Sequence, residues 1–250
     1  MSTGPFFALA FGITWLVQLP AVLVALGVLP GPIDRFMPLA GIGALGPLIA
    51  AVLVARRSPG GARGLFASLR ARGFGAHWYV VALLLPGALL AAGMAVYRLF
   101  GGDGPLVYPP TNGERIAALI MFPIGEEVGW RGLAQPRLQA RHGPVVASVV
   151  LGVLWALWHI PMFLMVGAAP RTFALGLAML IPGSFMFTWM YNHTRGSLLV
   201  AILLHMGVHL SNPNLALPDT APLVVYTLAL AVFAVGIVVA DPRAWRRTGA

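Results

Sequence analysis

An all-α, multi-pass membrane protein is the fold class that the sequence predicts, on three observations. Of the 250 residues, 59% are hydrophobic and only 9% are charged. The mean hydropathy is +0.86, outside the range of soluble globular domains. The apolar residues also fall in long blocks, of the kind a bilayer-spanning helix requires. A soluble core of this size would need a polar surface that these residues cannot supply. The expected architecture is a transmembrane helical bundle of about eight spans, built as one integral-membrane domain over residues 1–250.

Within a few residues, the blocks are 6–29, 36–55, 77–100, 116–134, 144–166, 173–191, 198–210 and 221–240. The first has no basic segment before it and is too long for a signal-peptide core, so it reads as a retained span. The seventh is shorter than the roughly 20 residues that cross a bilayer and must borrow from its flanks. Pro20, Pro47, Pro86, Pro123, Pro161 and Pro182 lie in or near spans; membrane helices tolerate such kinks when neighbours satisfy the freed carbonyls.

The connectors alternate in charge. Arg56, Arg57, Arg63, Arg70 and Arg72 follow the second block, Arg137 and Arg141 the fourth, Arg195 the sixth, and Arg243, Arg246 and Arg247 the eighth. The intervening connectors hold Asp34 with Arg35, Asp103 with Glu114 and Arg115, Arg171, and Asp219. The positive-inside rule then places both termini in the cytoplasm. Within 56–76 a short amphipathic helix is expected on the membrane surface, with Leu65, Phe66 and Leu69 as its apolar side.

The net charge is +9, and all sixteen basic residues are Arg. Because these cluster between apolar blocks, they fit membrane-flanking loops rather than a nucleic-acid face, and no nucleic-acid motif is present. The absence of Cys excludes disulfides and thiolate chemistry.

Of the seven acids, two stand side by side in apolar sequence, Glu126 and Glu127. An ionisable residue inside a span is a functional-site hypothesis by default. On a helix, Glu127 and Arg131 are i and i+4 and pair on one face, which leaves Glu126 free as a base. The alternative is that both acids mark a helix end at the membrane interface. His159 lies in the fifth block one turn after Trp155, where an interfacial aromatic belt is the competing explanation. His205 and His209 share one face of the seventh block, either as a site or as two outer-leaflet histidines. His193 and His142 are expected to be solvated, and His77 interfacial. One carboxylate with two or three imidazoles on separate spans is a hydrolytic set, either as a base with oxyanion donors or as metal ligands.

These residues resemble the motifs of the CPBP family, the CAAX-type prenyl-protein endopeptidases and bacterial bacteriocin-processing and self-immunity proteins. Glu126-Glu127-Val-Gly-Trp-Arg131 matches the family's Glu-Glu-x-x-x-Arg. Trp155 to His159 matches its aromatic-x-x-x-His, with Trp for the usual Phe. His205 opens its His-x-x-x-Asn/Asp motif, but the last position is His209, a departure. The motif core covers 113–212.

The resemblance implies an intramembrane endopeptidase in a bacterial cytoplasmic membrane, acting on a peptide or protein substrate within the lipid bilayer. It makes Glu126 the water-activating base and His159 its partner. His205 and His209 become oxyanion donors, and Glu127 and Arg131 a supporting pair. A Zn2+ site of Glu126, His159 and His205 is chemically reasonable, and a metal-free glutamate mechanism has at least equal standing because no His-Glu-x-x-His is present. His209 motivates a second expectation, a weak or inactive immunity or scaffold protein that binds peptides. An ion or proton transporter ranks below both, since no inverted repeat is visible.

Overall fold

The computed structural model describes residues 3–57, 60–103, 113–211 and 221–246, with side chains except at 113–118. Regular structure among the described residues is helical. The order is α1 (Gly4–Ala25), α2 (Met37–Gly43), α3 (Gly46–Ala55), α4 (Gly61–Ala67), α5 (His77–Leu99), α6 (Gly113–Gly129) and α7 (Gln135–His142). Then come α8 (Pro144–Trp158), α9 (Ile160–Met165), α10 (Pro170–Ala178), α11 (Leu180–His193), α12 (Leu198–Ser211) and α13 (Ala221–Ala240). The expected Asp219 connector lies outside the described residues, as do the side chains of Glu114 and Arg115.

Among the described residues, six stretches are long and apolar enough to cross a membrane: Gly4–Ala25, Met37–Ala55, His77–Leu99, Pro144–Met165, Pro170–His193 and Ala221–Ala240. The other two expected spans correspond to α6, which runs on through Trp130–Ala134 into α7, and to α12. α12 packs on α5 and α6, and α6 packs on α3, so protein rather than lipid covers much of them. A helix enclosed in this way can carry ionisable groups.

Small residues let these inner helices approach closely. A Cβ added at Gly207 of α12 would lie 2.6 Å from the Leu83 carbonyl oxygen of α5. One added at Gly129 of α6 would lie 2.7 Å from the Pro47 carbonyl oxygen of α3. Two of the long spans are interrupted just before a proline. Pro47 and Pro161 sit in the first turns of α3 and α9, where a missing N–H costs no intrahelical bond.

Polar side chains join α1 to its neighbours. Thr14 Oγ1 donates to the Gly43 carbonyl at 2.8 Å, and Trp158 Nε1 donates to Thr14 Oγ1 at 3.0 Å. At the end of the bundle where α3 finishes and α5 begins, Gln139 Nε2 donates to Asn192 Oδ1 at 2.9 Å, and Asn192 Nδ2 donates to the Ala244 carbonyl at 2.7 Å. His193 was expected to be solvated. Instead it stacks on Trp78 with ring centroids 4.8 Å apart and bonds to Asp241, which also accepts from Trp189 Nε1. His142 and His77 are exposed. Slight desolvation opposes ionisation of Asp241, but these donors and the Ala244 N–H outweigh it and hold the carboxyl below its ordinary range.

α4 continues into a short turn, Ser68–Arg70. Its apolar residues divide: Leu65 is buried against the bundle, Phe66 is half-buried and Leu69 is exposed.

Candidate active site

The helix carrying Glu126 and Glu127 widens just after them. Trp130–Ala134 is a π-helical segment between α6 and α7. Such wide turns hold one extra residue and are frequent at functional sites. Glu126, Glu127, Trp130 and Arg131 are all buried here.

The i, i+4 pairing expected from spacing is present. Arg131 Nη1 donates to Glu127 Oε1 at 3.0 Å. The guanidinium is also clamped between two aromatic faces, 4.7 Å from the Trp155 ring centroid and 3.9 Å from that of Phe187. A cation stacked on aromatics away from water is held by the ring quadrupoles as well as by its carboxylate. Phe187 was not singled out from sequence.

Glu126 is not left free, as the helical wheel suggested. Trp155 Nε1 donates to Glu126 Oε2 at 2.6 Å. Trp130 brings a second indole N–H toward the same carboxylate without closing a hydrogen bond. The spacing argument treated one helix alone and could not see a donor arriving from α8.

His159 stands at the break between α8 and α9. Its Nδ1 lies 2.8 Å from the Trp155 carbonyl oxygen. A carbonyl only accepts, so Nδ1 carries the proton and the neutral ring presents a lone pair on Nε2. Trp155 therefore fastens both Glu126, through its indole, and His159, through its backbone.

His205, on α12, was expected as an oxyanion donor. Its Nδ1 instead contacts Glu127 Oε1 at 2.7 Å. Glu127 thus serves Arg131 and His205 together, and His205 can donate from Nε2 only as an imidazolium. His209 stacks on His205 with centroids 4.9 Å apart and planes 4° from parallel. Its Nε2 is buried without a hydrogen-bond partner. The edge of the Trp155 ring meets His205 at 5.6 Å, so α6, α8 and α12 converge on this one residue.

The arrangement does not suit a metal ion. Among the described residues no group of three His, Cys, Asp or Glu side chains could hold one. Of the expected ligand set, Glu126 Oε2 accepts from Trp155 Nε1, and the Nδ1 atoms of His159 and His205 are taken by the Trp155 carbonyl and by Glu127.

The fold and site define a multi-pass helical membrane protein with a buried Glu/His/Arg centre at the meeting of three helices. The model of the family described as "Type II CAAX prenyl endopeptidase Rce1-like" matches residues 113–211. Over that stretch the chain is similar to type II CAAX prenyl endopeptidases. It is similar to CAAX prenyl protease 2 of Methanococcus maripaludis, 27% identical over an alignment of 179 residues that covers 66% of this chain. The chain spans 65% of that relative's length.

Proposed function

We propose that the chain is an intramembrane endopeptidase in which Glu126 activates water without a metal ion. The observation that carries this reading is Trp155, which fastens the buried Glu126 carboxylate and His159 at once while Arg131 is committed to Glu127. The base is thereby held in place without a cation bound across it.

In the proposed reaction Glu126 takes a proton from water as the water oxygen attacks the substrate carbonyl carbon. The C–N bond breaks when the amide nitrogen receives that proton, delivered from Glu126 or by way of His159 Nε2. His205, oriented by Glu127, offers Nε2–H to the oxyanion when it is imidazolium, and His209 is one helical turn away on the same face. The substrate is a peptide or protein segment at the membrane. The name of the Methanococcus relative makes prenylated CAAX termini the first to try. The Arg-rich connectors support a topology with both termini in the cytoplasm.

The test uses reconstituted protein and a quenched-fluorescence peptide library. Glu126→Gln should lower cleavage by about 10²–10⁴-fold with an unchanged melting temperature. Full activity in that variant overturns the assignment. Elemental analysis of wild type and His159→Ala should find no stoichiometric metal in either; a metal lost in the variant would overturn the metal-free mechanism.

A second reading is a non-catalytic peptide-binding scaffold. It is favoured by the unpartnered Nε2 of His209, at the position where the resembled motif has Asn or Asp. Absence of hydrolysis in the wild type, with activity restored by His209→Asn, would establish it.

A further inference from the structure

Residues 56–76 hold five arginines and no acid. Among the described residues, none of Arg56, Arg57, Arg63, Arg70 and Arg72 pairs with a carboxylate. The neighbouring turn adds to this charge. Arg195 sits in the left-handed region at φ 52, and its guanidinium packs against Gly73 of the same connector.

The outer face of α4 and the turn after it forms a concavity of about 640 Å³, lined by Ala62, Arg63, Phe66, Ala67, Leu69 and Arg70. That is within the size range of small-molecule sites. Arg63 and Arg70 are seven residues apart, nearly two full turns, so they share a face with Phe66 between them. Both are exposed. The floor is apolar, the walls are cationic, and the segment connects two spans.

The inner face meets the candidate active site. A Cβ at Gly132, in the wide turn beside Arg131, would lie 3.3 Å from Leu65 Cδ1 and 3.7 Å from Leu198 Cδ2. Leu65 is therefore packed directly against the wide turn.

We propose that the outer face of α4 and its following turn binds an anionic phospholipid. Its headgroup would sit between Arg63 and Arg70 and its acyl chain over Phe66 and Leu69, and occupancy would steady the wide turn at Arg131 through Leu65. Charge complementarity selects the occupant: the site offers guanidinium groups without counter-charge, at the end of the bundle where polar headgroups lie. The apolar floor suits an acyl chain and has no counterpart in a free phosphate. The proposal does not depend on the endopeptidase reading.

The experiment compares wild type with the double variant Arg63→Gln/Arg70→Gln. Both substituted residues are exposed, so folding is not at risk. Each protein is reconstituted in vesicles of phosphatidylcholine mixed with phosphatidylglycerol, then extracted for native mass spectrometry. Wild type should retain phosphatidylglycerol over phosphatidylcholine, and the double variant should retain at least about tenfold less. Equal retention overturns the site. Inorganic phosphate should not compete; displacement by it would reveal a simple anion site and overturn the lipid assignment. Hydrogen exchange at 129–135 should slow in the mixed vesicles relative to phosphatidylcholine alone, in wild type only. Unchanged exchange in wild type overturns the coupling through Leu65.

Discussion

Trp155 Nε1 holds Glu126 Oε2 at 2.6 Å, from a position where the family usually carries Phe, which has no donor. A hydrogen bond to a charged group contributes about 1.5–3 kcal/mol. Trp155→Phe removes the N–H and part of the ring volume, while keeping an aromatic face for Arg131 and the carbonyl for His159. Turnover should fall roughly 10–100-fold with little change in KM. A matching rise in KM, or unchanged turnover, would show that the bond does not position the base.

Arg131 is buried with Glu127 and two aromatic rings. Removing one partner of a buried pair leaves the other uncompensated, at about 3–5 kcal/mol. Arg131→Met should therefore lower the melting temperature sharply, and adding Glu127→Gln should recover part of the loss. Thermal unfolding in detergent measures both.

His209 stands where the family has Asn or Asp. If it donates to the oxyanion, His209→Ala should lower turnover by about 10²-fold, while His209→Asn should keep most of it by restoring an amide donor. Equal turnover in all three proteins would remove His209 from the mechanism.

Gly207 lets α12 lie against the α5 backbone. Gly207→Ala forces the helices apart, an overpacking cost of about 1–3 kcal/mol. The melting temperature should drop by roughly 2–4 °C for each kcal/mol. An unchanged melting curve would mean that the two helices part without loss.

Asp241 is easier to ionise folded than unfolded. Its contribution is therefore complete above the ordinary carboxylate value of about 4 and is lost as pH falls through the depressed folded value. Melting curves taken from pH 5 to pH 3 should fall more steeply for wild type than for Asp241→Asn. Parallel curves would exclude this carboxylate as a source of the acid loss.

Much of this was legible in the sequence because hydropathy and charge alternation report on the environment of whole segments. The i, i+4 geometry also gave Glu127–Arg131 and the His205–His209 face directly, since both are local to one helix. The bond from Trp155 to Glu126 was not legible, nor was the capture of His205 by Glu127. Both cross between helices, and each depends on a rotation that no single segment determines. Trp155 was visible as a departure from the usual Phe, but its meaning lay in the indole N–H rather than the ring.

The wide turn at Trp130–Ala134 also sets a phase. With the same residues in an unbroken α-helix, everything beyond them would be rotated by about 100°. The carboxylates before the turn and the contacts after it are thus aimed independently, although α6, the turn and α7 form one rod. Gln139 reaches Asn192 because of that offset. A chain lacking one residue between Arg131 and Gln135 would keep all three family motifs intact in spelling. Its wide turn would close to regular α-helix, and the side chains of α7 would keep their direction toward α11. The extra residue thus shapes the turn beside Arg131 and leaves the direction of α7 unchanged.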